Sequence, residues 1–256
     1  MTKSKLLDTL ILILLYIGIS CFPFSLFGIK GTLELIFQIL GQLVIFFLFR
    51  LVLKKSPLKF KERTYNRFYM ILFIPVFILC FSNYFNLFSP DYHLEFSFSI
   101  DLLLAILLSF CVAFNEEYLF RSVIIDNIEA SEKPIVKIII SASIFGISHI
   151  TYFISSFNPV DLLHVVYTFG LGIVLGLMYV YGQCLWYCVL FHFAFNVING
   201  NLVEKFMIGP RNFMYYLVNG LVGLVIGIYL FVIYFLIFRK EKTEEWDFLN
   251  LLTTHS

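Results

Sequence analysis

The sequence predicts an all-α fold: a polytopic membrane helix bundle of about eight transmembrane helices, with both termini cytoplasmic. Three observations predict it. Of the 256 residues, 60% are hydrophobic and only 14% charged, well above the roughly 45–50% apolar usage of soluble domains. The apolar residues gather into stretches long enough to cross a bilayer, which takes about 20 residues per helix. The basic residues cluster in particular connections, and such clusters set orientation. The formal net charge of +1 gives no footprint for nucleic acid.

The expected spans lie near 5–23, 32–53, 68–88, 99–121, 135–156, 161–181, 184–200 and 213–238. The first follows Met1-Thr2-Lys3-Ser4-Lys5 with no small-x-small cleavage site after it, so it is expected to be retained. Segment 50–67 carries Arg50, Lys54, Lys55, Lys59, Lys61, Arg63 and Arg67 against Glu62, which marks it as cytoplasmic. Loop 89–98 has Asp91, His93 and Glu95 and no Lys or Arg, so it is expected outside. Lys3 and Lys5, and Arg239, Lys240 and Lys242, put both termini inside. An even number of spans satisfies all four constraints, and it brings the end of the fourth span to the cytoplasmic side. Pro134 suits the start of the fifth helix. Gly170, Gly172 and Gly176 give the sixth a small face for close packing. The 184–200 stretch is short and contains a histidine and two asparagines. The five cysteines form no Cys-x-x-Cys motif and imply no disulfide framework.

The chain is organised around Asn115-Glu116-Glu117-Tyr118-Leu119-Phe120-Arg121, at the end of an apolar run broken only by Ser109. An acidic residue at a membrane-helix centre costs roughly 2.5–3.5 kcal/mol, and less toward the end. Arg121 follows Glu117 at i+4, so those two can pair. Glu116 points about 100° away and lacks a local partner, which makes it a candidate functional carboxylate. Two further polar constellations interrupt apolar runs: Phe145-Gly146-Ile147-Ser148-His149 in the fifth span, and His192-Phe193-Ala194-Phe195-Asn196 in the seventh. His192 and Asn196 are one turn apart and share a face. His164, near Asp161, reads as an ordinary helix-end histidine, and His93 and His255 as solvated ones.

Each constellation costs free energy in hydrocarbon unless it meets another or water. The cheapest arrangement gathers spans four, five and seven around one polar cavity. A carboxylate and an imidazole there can take a proton from water and return it to a leaving amine. A second imidazole and an amide can stabilise an oxyanion. Glu116 is expected to be the base and Glu117 to be held ionised by Arg121, with the reverse assignment open.

Glu-Glu-x-x-x-Arg, then Phe-x-x-x-His, then His-x-x-x-Asn, in that order on successive spans, resembles the CPBP family. These are the CAAX-prenyl-protease-like and bacteriocin-processing intramembrane proteases, also called Abi proteins. The glycine-punctuated approach Phe169-Gly170-Leu171-Gly172 to Leu185-Trp186 is similar too. The resemblance covers about residues 99–200, between N-terminal transmembrane helices (1–98) and a C-terminal helix with a short cytoplasmic tail (201–256). It implies Glu116 as the water-activating base, His149 assisting, Glu117 and Arg121 supporting, and His192 and Asn196 as transition-state donors.

No cofactor is firmly implied. If the site were metallic, Glu116, His149 and His192 would be the Zn²⁺ set, leaving a position for water. The stripe Cys184, Cys188, His192 and Asn196 has a soft-metal reading, with small-residue packing as the alternative. The implied activity is endoproteolysis of a peptide or protein tail in a membrane. Abundant Phe, Ile and Lys with few Ala fit a low-GC bacterium. That points to a bacterial plasma membrane, and to bacteriocin or pheromone maturation or self-immunity beside CAAX-type processing. The alternative is a non-catalytic scaffold regulating a membrane sensor or immunity partner. A proton-relay transporter is a third class, disfavoured by the lack of an inverted repeat.

Overall fold

The computed structural model describes residues 3–53, 74–128, 133–151, 154, 161–182, 184–210 and, farther on, only positions 221, 225, 226, 228–230 and 232. Most of the basic segment 50–67 and most of the expected last span 213–238, together with the side chains of Asp161 and His164 and the tail with His255, lie outside the described residues.

The described chain is helical almost throughout. Helix α1 spans Lys3–Ser20 and α2 spans Thr32–Leu53. A 3₁₀ helix, Ile74–Phe88, is followed by the short strand β1, His93–Leu94. Helix α3, Ile100–Glu117, continues without a break into a π-helical turn, Tyr118–Ile125. Helices α4, Pro134–Ser148, and α5, Asp161–Gly182, come next. Helix α6, Leu185–Phe195, runs into a second π turn, Asn196–Leu202. A single helical turn α7, Val203–Phe206, and the strand β2, Met207–Ile208, close the described core. Among the described residues three helices are long and apolar enough to span a membrane: Thr32–Val52, Ile100–Ile125 and Val165–Gly182. Leu7–Ser20, Val76–Phe88 and Pro134–Ser148 are shorter apolar helices.

Local chemistry sets the boundaries. Ser99 caps α3, its hydroxyl accepting from the Leu102 N–H at 3.3 Å. Thr32 donates to Asp101 at 2.6 Å, tying the starts of α2 and α3 together. Pro134 opens α4, as expected, at a position whose N–H needs no intrahelical partner. The expected span 135–156 is not one regular helix, because it breaks at His149 (φ −85°, ψ 0°). There the Ser148 hydroxyl donates to the Phe145 carbonyl at 2.7 Å and His149 Nδ1 reaches it at 2.8 Å. With that acceptor taken by side chains, the His149 backbone N–H turns to Gly146 O at 3.1 Å. Strands β1 and β2 pair antiparallel, His93 opposite Ile208 and Leu94 opposite Met207, tying loop 89–98 to the end of the α6 segment.

Glycine brings α4 and α5 together. A Cβ at Gly172 would sit 3.0 Å from Ala142 Cα, and one at Gly176 would sit 2.8 Å from Ile138 Cγ2. A Cβ at Gly146 would lie 2.9 Å from Phe169 Cβ. Close backbone approach of this kind drives helix pairing in lipid, where burying apolar surface gains little. Gly170 does not join the small face: it is exposed, with nothing within 4 Å. The expected stripe is therefore Gly172 and Gly176, which meet Ala142 and Ile138 of α4, while Gly146 of α4 packs on Phe169 of α5. One continuous core runs from Leu12, Tyr16, Ile45 and Phe49 through Phe114 and Phe120 to Phe145, Leu175, Cys188 and Phe191. The polar site is embedded in it.

Candidate active site

The last turn of α3 carries three buried polar side chains in a row. Asn115, Glu116 and Glu117 are 2%, 4% and 0% exposed. At this depth a carboxylate stays only if it is paired. Glu117 is paired on both oxygens. Oε2 accepts from Arg121 Nε at 2.9 Å, the i+4 pair the spacing predicts, and both side chains are fully buried. Oε1 lies 2.9 Å from His192 Nδ1 on α6. Arg121 also donates through Nη1 to Ser141 Oγ of α4 at 3.0 Å, and Ser141 in turn donates to Phe120 O at 2.6 Å. The guanidinium carbon stands 5.1 Å from the Phe145 ring centroid, a cation–π contact in a desolvated setting.

Glu116 faces other elements. Its Oε1 accepts a hydrogen bond from the Tyr16 hydroxyl of α1. Its Oε2 lies 3.5 Å from His192 Nε2. The imidazole of His192 therefore stands between the two carboxylates, one ring nitrogen toward each. An ionised Glu117 is an acceptor only, so Nδ1 carries the proton there, and in the neutral ring Nε2 keeps a lone pair toward Glu116. A water beside Glu116 Oε2 and Nε2, off the line that joins them, would meet two acceptors.

Helices α3, α4 and α6 thus meet at Glu117, Arg121, Ser141, Phe145 and His192. His149 is held differently. It is half-buried at the α4 break, in a sparsely populated backbone region where active-site residues are often found. Its Nδ1 is 2.8 Å from the Phe145 carbonyl, which takes that proton and leaves Nε2 as an acceptor. The Phe145 ring meets His149 edge-on at 4.8 Å and His192 edge-on at 6.0 Å, so one ring buttresses both imidazoles. The imidazole against the glutamates is His192. Asn196 is half-buried one turn further along α6, its backbone N–H bonded to His192 O. Among the described residues no hydrogen bond of its side chain is found. One π turn begins directly after Glu117 and the other at Asn196, places where such irregularities are common.

The zinc set does not fit this geometry. Glu116 and His192 converge, but among the described residues no three His, Cys, Asp or Glu side chains are grouped to hold an ion. A catalytic zinc takes three protein ligands. The cysteine stripe is packing: Cys188 is fully buried with Sγ 3.4 Å from Leu175 O of α5. His93 is exposed and lies 3.2 Å from Glu95, as expected of a solvated histidine.

The sequence reading did not single out Tyr16, Gln42 or Ser141. Gln42 of α2 accepts twice from Asn115 Nδ2, at 2.9 Å through its carbonyl and 2.8 Å through its side chain. Its own Nε2 donates to Ser20 of α1 at 3.1 Å. The available signal was a hydroxyl or amide inside an apolar run, and with 15 tyrosines in the chain that signal picks out nothing.

Residues 98–198 match a family model described as Type II CAAX prenyl endopeptidase Rce1-like. The matched segment, under half of the chain, contains Glu116, Glu117, Arg121, His149, His192 and Asn196. The match agrees with the CAAX-protease resemblance of the motifs, and it supports a membrane protease acting on a peptide or protein tail. No curated protein and no solved structure matches the chain.

Proposed function

We propose that this chain is an intramembrane endopeptidase of the CAAX-protease type, hydrolysing a peptide bond with water activated by Glu116. The observation that carries the reading is the His192 ring bracketed by Glu116 at 3.5 Å and Glu117 at 2.9 Å, in a buried cluster inside the matched segment. Water binds to the side of this 3.5 Å gap, donating to Glu116 Oε2 and facing His192 Nε2. Its O–H bond breaks, the proton passes to Oε2, and the oxygen attacks the scissile carbonyl carbon. The tetrahedral intermediate collapses as the C–N bond breaks, and Glu116 returns the proton to the leaving amine. Glu117, ionised by Arg121, fixes the tautomer and plane of His192. Asn196 donates its amide N–H to the developing oxyanion, and His149, whose Nε2 is left as an acceptor, assists the proton transfer. No metal takes part in this scheme.

The protein works in a bacterial plasma membrane as a bundle of about eight spans with both termini cytoplasmic, so cleavage takes place near the inner face. Its substrate is a membrane-associated peptide or protein tail, in bacteriocin or pheromone maturation, self-immunity or CAAX-type processing. The test is cleavage of tail peptides by the full chain in liposomes. The wild type is expected to cut and Glu116→Ala to be inert. Cleavage that survives the substitution would remove the proposal.

A further inference from the structure

The reading of Glu116 as the base leaves open what holds its carboxylate in the productive orientation. We infer that Tyr16, on a helix outside the family-matched segment, is a positioning residue that fixes Glu116 through its hydroxyl. The inference rests on the role of Glu116 given above.

Tyr16 is the one tyrosine of α1, in the otherwise apolar run Leu10-Ile11-Leu12-Ile13-Leu14-Leu15-Tyr16-Ile17. It is 5% exposed. A buried phenol in such surroundings costs free energy unless its hydroxyl is paired. Here it donates to Glu116 Oε1, since the carboxylate can only accept. Its ring meets Phe120 edge-on at 6.3 Å, which fixes the approach of the hydroxyl. With Oε1 held by Tyr16, the free rotation of the carboxylate is lost, and Oε2 is the oxygen left facing His192. A general base has to be held in this way to deliver its rate advantage.

A second tie acts at the adjacent residue. Gln42 of α2 binds Asn115 and reaches Ser20 at the end of α1. The two helices N-terminal to the matched segment therefore grip α3 at the residues around the base. The segment 98–198 bears the chemistry-bearing side chains, and α1 supplies the hydroxyl that aims one of them.

The experiment compares wild type, Tyr16→Phe and Glu116→Gln as full chains in liposomes, on one tail peptide. Tyr16→Phe keeps the ring and removes only the hydroxyl. A hydrogen bond to a charged group corresponds to roughly a tenfold to hundredfold factor in rate. The expected result is a kcat drop of that size, with KM within about twofold of wild type, because substrate binding is untouched. Melting temperature is expected to fall by only about a few degrees, so the protein stays folded at the assay temperature. An isotope-edited infrared carboxylate band of Glu116 is expected to shift in Tyr16→Phe, and a merely structural tyrosine would leave it in place. Undiminished kcat or an unshifted band in Tyr16→Phe, beside an inert Glu116→Gln, overturns this inference alone. A fully active Glu116→Gln overturns the role of the base, and the inference with it.

Discussion

Removing the Arg121 guanidinium strands a charge in the most buried part of the protein. Arg121 and Glu117 are both 0% exposed, and their Nε–Oε2 distance is 2.9 Å. Breaking a buried pair from one side typically costs about 3–5 kcal/mol, because the remaining charge has no solvent. Arg121→Met leaves Glu117 with His192 as its remaining partner, so a loss of about 4 kcal/mol is expected, roughly a thousandfold in the folding equilibrium. Glu117→Gln strands the guanidinium instead and should cost a similar amount. The double variant removes both charges and keeps an amide oxygen toward His192. It loses the Ser141 hydrogen bond and the contact over Phe145, together about 1–3 kcal/mol. The double variant should therefore be more stable than either single one, with a coupling of about 2 kcal/mol or more. Reversible unfolding in mixed detergent micelles measures all four proteins. Strictly additive losses, or an Arg121→Met protein within about 1 kcal/mol of wild type, would refute a buried ion pair at this position.

Four further outcomes follow from the same geometry. Gly146→Ala puts a methyl 2.9 Å from Phe169 Cβ and 3.1 Å from the Val165 carbonyl, so it should destabilise by about 1–3 kcal/mol. Gly170→Ala meets nothing within 4 Å and should be neutral or slightly stabilising in the same unfolding assay. His192→Ala should lower kcat more than His149→Ala, because His192 touches both carboxylates, whereas His149 is joined to the cluster through Phe145. Equal losses, or the reverse order, in a peptide-cleavage assay would move the working imidazole to His149. Strong chelators should leave cleavage unchanged, and loss of activity restored by Zn²⁺ would bring in a metal that the donor set does not accommodate.

What the sequence reveals is the part governed by spacing along one helix. The Glu117–Arg121 pair needs only a helical turn, and the spacing predicts it. The meeting of α3, α4 and α6 follows from the cost of burying separate polar residues in hydrocarbon, a cost that any one of them shows by itself. Spacing cannot give rotation about a helix axis or the choice between two similar side chains. That is why it does not show which of the two imidazoles lies beside Glu116, here His192, or that Gly170 turns outward while Gly172 and Gly176 face Ala142 and Ile138. The break at His149 was hidden for a related reason: the competition of Ser148 and His149 for the Phe145 carbonyl depends on side-chain rotamers. Tyr16 and Gln42 reach the site from α1 and α2 across separations of 100 and 73 residues, and no local pattern marks them.

The most direct measurement is single-turnover cleavage of a tail peptide by the Glu116→Gln protein in liposomes, alongside its melting temperature. Glutamine keeps the shape of the side chain and can still accept from Tyr16, but it cannot take a proton from water. The account predicts a fall of roughly 10²-fold or more in the rate constant, with melting near wild type. An unchanged rate in a fully folded protein would contradict it and leave the buried cluster as a lock between helices.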